Sequence, residues 1–176
     1  AALRYMGEAT GVPTPFLSAV QQVNEQAKTR MVRRLREALG PLENRRIAVW
    51  GLTFKADTED TRQSPAMDVV QLLVNDGAVV TAYDPSRPPD DMLPPRSGIR
   101  LSSTALDAVD DADALVILTD WREFSHVPLG EAAKRMHGDL VVDGRNMLEP
   151  DQAGHYGLRY IGVGRGPAGQ HGSVPT

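Results

Sequence analysis

The 176-residue sequence contains no cysteine. This excludes disulfide bonds and thiolate metal sites from the chain, and it is typical of proteins in a reducing compartment, so we expect a cytoplasmic location. The four histidines do not have the spacing of metal ligands, and we predict no metal site.

Aromatic residues are scarce at 5%, but a hydrophobic fraction of 41% is enough for an aliphatic core. No apolar run reaches the roughly 18 residues that a membrane-spanning helix needs, so we expect no membrane partner. The formal net charge of −4 argues against a nucleic-acid partner, because such domains present a basic face. A site for a phosphorylated ligand would therefore be a local basic cluster on an acidic body.

Apolar residues recur at steps of three or four along residues 15–39. They are Phe16, Val20, Val23, Ala27, Met31, Leu35 and Leu39. This stripe predicts one long amphipathic helix, ended by Gly40-Pro41. Its length, roughly 37 Å at 1.5 Å per residue, exceeds the side of a small domain. Part of the stripe should then contact either a second chain or another domain, and the pattern does not decide between them.

Short apolar segments alternate with helical segments after residue 44. We predict strands at 46–50, 78–83, 115–118, 140–142 and 158–163, and helices at 64–75, 104–112 and 129–136. This alternation predicts an α/β fold with a doubly wound parallel sheet, whose strand-to-helix turns share one ligand-binding edge. The segment 166–176 is rich in glycine and proline and is predicted to be a disordered tail.

Basic residues fall in the predicted turns at that edge. Lys55 and Arg62 follow the first strand, and Arg145 follows the fourth. A lysine charge and arginine forks suit a diphosphate, so the sequence favours an anionic nucleotide ligand. The alternative is that Lys55 and Arg62 only neutralise acidic neighbours in the same turn, namely Asp57, Glu59 and Asp60.

The first turn has Gly51 but lacks the G-x-G-x-x-G fingerprint, and Thr53 and Lys55 stand where a closer approach of the backbone to the ligand would need glycine. This argues against a complete dinucleotide site in the chain. A receiver-like signalling domain is a further alternative. Its candidate phosphoacceptors would be Asp84 and Asp120, which follow predicted strands.

A family resemblance rests on these turns. Residues 51–65 resemble the signature Gly-x-x-Phe-Lys-x-x-Thr-x-Asp-x-Arg-x-Ser-Pro of nucleotide-sugar 6-dehydrogenases. Four further segments match in order, at 82–85, 112–121, 142–146 and 160–165. The chain is thus similar to the UDP-glucose/GDP-mannose 6-dehydrogenase family. The residues at 82–85 and 142–146 resemble those of the UDP-glucose enzymes more than those of the enzymes for GDP-mannose or UDP-N-acetylmannosamine.

The resemblance implies a whole enzyme that oxidises UDP-glucose to UDP-glucuronate with two NAD. It implies that residues 1–42 end a central helical dimerisation domain and that 43–165 form a Rossmann-like UDP-sugar-binding domain. The family's catalytic cysteine and NAD-binding domain are expected before Ala1, so this chain is expected to be inactive alone. The alternative is a stand-alone, non-catalytic module for nucleotide-sugar binding or dimerisation.

The resemblance also assigns individual residues. Phe54 and Lys55 are expected to contact the UDP-sugar, and Arg145 to reach its ribose or phosphates. Arg62 is expected to approach the NAD held by the other domain. The helix 15–39 is expected to form a homodimer interface, and no residue of this chain is assigned a catalytic role.

Overall fold

A parallel six-stranded sheet with helices on both faces forms the body of the chain, and it confirms the predicted doubly wound α/β class. The computed structural model describes residues 15–58, 60–61, 64–86 and 98–165. The strands are β1 Arg46–Trp50, β2 Val79–Tyr83, β3 Ile99–Leu101, β4 Ala114–Ile117, β5 Leu140–Asp143 and β6 Arg159–Gly162. The helices are α1 Pro15–Leu39, α2 Pro65–Asn75, α3 Ala105–Ala108, α4 Leu129–Arg135 and α5 Pro150–His155, with a 3-10 helix at Arg122–His126.

The strand order is β3-β2-β1-β4-β5-β6. The chain adds β2 and β3 on one side of β1 and then crosses over to add β4, β5 and β6 on the other side. Trp50 at the end of β1 pairs with Tyr83 of β2 and with Ile117 of β4, and Ile117 pairs with Asp143 of β5. Because all of these pairs are parallel, the turns that follow the four strands leave from one edge of the sheet. This carboxyl edge is where open α/β sheets bind ligands.

The two faces of the sheet carry separate cores. Ile47 and Val49 of β1 point to the face covered by α1 and α2, whereas Ala48 and Trp50 point to the opposite face. The indole of Trp50 stacks on Phe124 with ring centroids 5.3 Å apart and donates to the carbonyl of Ala105 at 2.9 Å. Burial on both faces explains the continuous apolar runs Ile47–Trp50 of β1 and Ala114–Ile117 of β4.

Helix α1 is a single helix as predicted, but only its second half packs on the domain. Val32 and Leu35 are buried there. Lys28 ties the helix to Asp68 of α2 at 2.6 Å. In the first half, the apolar side chains of Phe16, Val20 and Val23 are 76%, 43% and 61% exposed. Half of the stripe therefore has no partner among the described residues.

Several features differ from the sequence-based predictions. The helix predicted at 104–112 is a single turn, Ala105–Ala108, whose cap Thr104 accepts from the amide of Asp107 at 3.0 Å. Strand β3, the 3-10 helix and helix α5 were not predicted. Arg62 and the tail 166–176 lie outside the described residues. Among the described helices, none is both long enough and apolar enough to cross a membrane.

Candidate functional site

The first turn, residues 51–55, passes very close to the end of β4. Gly51 has a φ of +91°, and a Cβ added there would lie 2.5 Å from the Cβ of Thr119 and 2.8 Å from its amide nitrogen. Only glycine adopts this backbone conformation without strain and leaves room for the neighbouring chain. Gly51 is thus needed for the turns after β1 and β4 to pack together.

A buried carboxylate organises this turn. Asp84, which follows β2, is 2% exposed. Its Oδ2 accepts from the amides of Leu52 and Thr53 at 2.7 and 3.1 Å, from the Thr53 hydroxyl at 3.1 Å and from the Trp121 indole at 3.3 Å. Its Oδ1 accepts from the amide and hydroxyl of Ser86 at 3.0 and 2.6 Å. Asp84 therefore joins the turns after β1, β2 and β4.

These bonds decide which kind of ligand the first turn can hold. In a dinucleotide-binding turn, glycine-rich backbone brings N–H groups to the pyrophosphate. Here the amides of Leu52 and Thr53 already donate to Asp84. These two amides are therefore not available to a pyrophosphate in the usual way, which favours side chains as the donors of the first turn to an anion.

A second buried carboxylate, that of Asp143, lies at the end of β5, directly before the turn of Arg145. The Oδ1 of Asp143 accepts from the amide of Arg145 at 2.9 Å, and its Oδ2 accepts from the amide of Leu148 at 2.9 Å and the hydroxyl of Tyr160 at 3.0 Å. Burial, and then the Asp143 carboxylate, raise the pKa of Tyr160 above its ordinary value. The hydroxyl thus stays protonated at neutral pH and continues to donate.

Both turns are also bonded to the segment that follows β4. The hydroxyl of Thr119 donates to the carbonyl of Thr53 at 2.9 Å, and the Nε of Arg145 donates to the carbonyl of Leu118 at 2.8 Å. A continuous set of hydrogen bonds therefore links the loop of Lys55 to the loop of Arg145 across the carboxyl edge.

Three of the four predicted site residues lie on this edge. Phe54 is 53% exposed, and Lys55 and Arg145 are also exposed. Only β4 separates β1 from β5, so the two basic turns start two interstrand spacings apart, about 10 Å. The fourth residue, Arg62, lies outside the described part of the chain.

The alternative role of Lys55, neutralising acidic neighbours, finds no support in the described residues. Asp57 and Asp60 form no salt bridge with Lys55, which is exposed, and Glu59 and Arg62 lie outside the described residues. The backbone instead closes this loop, since the amide of Phe54 donates to the carbonyl of Asp60 at 2.9 Å. Lys55 is thus presented to solvent at the carboxyl edge.

The receiver-like alternative has two candidate phosphoacceptors, and Asp84 does not fit that role. A phosphoacceptor must be reachable, whereas Asp84 is buried and both of its oxygens accept hydrogen bonds. Asp120 is exposed, so burial does not exclude it. The structural roles of Asp84 and Asp143 were not predicted from the sequence. The available signal was an aspartate at the end of an apolar segment in both cases.

Comparison with known proteins decides the family. Residues 48–150 match the family described as "UDP-glucose/GDP-mannose dehydrogenase family, UDP binding domain". The chain belongs to the UDP-glucose/GDP-mannose dehydrogenase family. The matched residues include the turns of Lys55 and Arg145 and the two buried carboxylates, Asp84 and Asp143. The turns that carry Phe54, Lys55 and Arg145 therefore lie inside the residues that match this UDP-binding domain.

Named members of this dehydrogenase family resemble the chain along most of its length. A UDP-glucose 6-dehydrogenase of Rhizobium meliloti is 38% identical over 157 residues, which cover 87% of this chain and 35% of the relative. One from Bacillus subtilis is 32% identical over 164 residues, covering 93% and 36%. The structure of a UDP-glucose dehydrogenase from Pyrobaculum islandicum matches with a TM-score of 0.74 at 29% identity, covering 92% and 35%. The chain thus spans about a third of the length of these relatives.

Proposed function

We propose that the chain is the UDP-sugar-binding part of an NAD-dependent dehydrogenase that oxidises UDP-glucose to UDP-glucuronate. The observation that carries the proposal is the convergence of Lys55 and Arg145, from distant turns, on one edge of a UDP-binding domain. Lys55 and Arg145 hold the diphosphate, and Phe54 packs against the sugar nucleotide. The absence of cysteine supports the cytoplasm as the compartment.

The two cations offer different contacts to a diphosphate. The ammonium group of Lys55 is a mobile charge with three donors. Arg145 is more constrained because its Nε donates to Leu118, which leaves the two terminal nitrogens for a pair of phosphate oxygens. One flexible and one oriented cation would bind both phosphates and fix the direction in which the sugar extends.

The oxidation itself requires groups from elsewhere in the enzyme. Converting a primary alcohol to a carboxylate removes four electrons, which requires two NAD. NAD does not fit the first turn, whose amides are already bonded to Asp84, so we propose that another domain holds it and that Arg62 approaches it. With no cysteine for a covalent intermediate, the chain binds and orients the substrate and carries out no chemistry alone.

Calorimetric titration of the chain with UDP, uridine and GDP tests this function. UDP is expected to bind with an affinity that falls as salt is added, and uridine is expected to give no measurable heat, because both cations act on phosphate. Equal affinity for uridine and UDP would contradict the proposal. Tighter binding of GDP than of UDP would favour the GDP-mannose alternative over the UDP-glucose substrate.

We further propose that the exposed half of α1 forms a homodimer interface. Phe16, Val20 and Val23 lie along one stripe and are exposed in a chain whose core is otherwise well covered. A second copy of the same stripe, packed around a twofold axis, would bury these side chains. A covering domain of the same enzyme would do so too, and the self-association of this chain distinguishes the two.

Val23→Glu is expected to abolish self-association of the chain in sedimentation equilibrium, because the new charge would be buried against its symmetry mate. Val79→Glu is the matched control, since Val79 is 51% exposed, against 61% for Val23, but lies at the start of β2. The control should sediment as the unmodified chain does. A strict monomer of the unmodified chain at high concentration would refute the dimer.

A further inference from the structure

We propose that Asp84 is the positioning residue of the nucleotide site, holding the first turn in the shape in which Phe54 and Lys55 face the ligand. This inference rests on the proposed function and assigns a role to a residue that does not itself contact the ligand. It follows from the number and placement of the hydrogen bonds that Asp84 accepts.

One oxygen of Asp84 accepts four donors, and three of them belong to the turn itself. These are the amides of Leu52 and Thr53 and the hydroxyl of Thr53. The fourth donor, the indole of Trp121, also donates to the Thr53 hydroxyl at 3.2 Å. No cation pairs with Asp84 among the described residues, so hydrogen bonds alone stabilise the buried carboxylate. Removing it would leave two buried backbone amides without an acceptor, which the turn would relieve by moving.

This role is distinct from holding the sheet together. The link between β1 and β2 continues past the strands through the amide of Gly51, which donates to the carbonyl of Tyr83 at 2.8 Å and does not involve Asp84. The hydrogen bonds to Asp84 come from the two residues that follow Gly51, Leu52 and Thr53, which directly precede Phe54 and Lys55. Since Lys55 has no salt bridge among the described residues, the backbone of the turn sets where its charge lies.

A turn fixed in advance lowers the entropy that must be lost when a ligand binds. With Asp84 in place, the ordering of residues 51–55 is completed on folding. Without it, the ligand would have to order the turn, and affinity would fall although Lys55 itself is unchanged. The inference therefore predicts a loss of binding that is separable from a loss of stability.

The test combines calorimetric titration with UDP and hydrogen exchange of the amides of residues 52–54, in the whole chain below its melting temperature. Asp84→Asn keeps the shape but is a neutral, weaker acceptor, and we expect UDP to bind roughly tenfold more weakly and these amides to exchange faster. Ser86→Ala is the matched control, because it removes a donor to the other oxygen and does not touch the turn. It should leave both readouts unchanged.

Thr53→Val is a second, milder variant that removes one hydroxyl donor and keeps the size of the side chain. A few-fold loss of affinity is expected from it, and it decides the question if Asp84→Asn does not fold. Unchanged UDP affinity of Asp84→Asn, or of Thr53→Val if Asp84→Asn does not fold, would overturn the inference and leave Asp84 a purely structural residue, even if the melting temperature is lower.

Failure of the proposed function gives a different result. If the unmodified chain does not bind UDP, the proposed function fails and the role of Asp84 in nucleotide binding fails with it. The exchange rates would still show whether the carboxylate orders the turn. If the unmodified chain binds UDP and Asp84→Asn binds it equally well, the function stands and the positioning role of Asp84 is wrong.

Discussion

Gly51→Ala is expected to destabilise the domain by about 2–5 kcal/mol, the sum of an unfavourable backbone conformation and an overpacked contact. The φ of +91° is one that L-residues rarely adopt, and the new Cβ would lie 2.8 Å from the backbone nitrogen of Thr119. Neither the turn nor the end of β4 can yield easily, because Thr119 also donates to the carbonyl of Thr53. Urea unfolding of the purified chain measures the loss.

Gly154→Ala is the control for this prediction. Gly154 lies inside α5, no atom lies within 4 Å of the position of an added Cβ, and the helical backbone favours alanine. This change should leave stability unaltered or raise it by up to about 1 kcal/mol. Equal stability of the two variants would mean that the close approach of the turns after β1 and β4 is not a feature of the folded protein.

Lys55→Glu is expected to weaken UDP binding about thirtyfold or more. A charge-assisted hydrogen bond is worth roughly 1.5–3 kcal/mol, and the substitution replaces it with a charge that repels phosphate. Arg145→Glu should have a comparable effect for the same reason. Titration calorimetry at fixed ionic strength gives both affinities.

Lys134→Glu separates local contact from overall charge. It changes the net charge by the same amount as Lys55→Glu does, but Lys134 lies at the end of α4. There the carbonyl of Arg135 accepts from the amide of Asp111, a residue that precedes the start of β4. This is the edge of the sheet opposite the site. UDP affinity should change less than twofold at moderate salt, where charges that far apart are screened. If Lys55→Glu and Lys134→Glu weaken binding equally, Lys55 is not a ligand.

The helices and strands that were predicted well from the sequence are those whose burial gives their residues a periodic or continuously apolar pattern. After Arg46, strand β1 is a continuous apolar run, Ile47–Trp50, because it is covered on both faces. Helix α2 begins at Pro65 after the cap Ser64. Strand β3 has only three residues, Ile99–Leu101, and lies half-buried at an edge. Helix α5 is short and largely polar, so neither it nor β3 carries a readable period.

The candidate site, like the fold, was predicted only in part from the sequence. The rule that parallel strands end at one edge places Lys55 and Arg145 on the same side without knowledge of the strand order. The roles of Asp84 and Thr119 depend on which strands are neighbours, because β1 has to lie between β2 and β4 for their turns to meet. Local sequence does not encode that order, so this hydrogen-bond network emerges only from the structure.

A structure of the chain bound to UDP tests most directly whether side chains from two distant turns hold one diphosphate. We predict that the phosphate oxygens contact the ammonium group of Lys55 and the terminal nitrogens of Arg145 together, while the amides of Leu52 and Thr53 still donate to Asp84. A diphosphate bound by those amides in place of Asp84, or located at the opposite edge of the sheet, would contradict the proposed site.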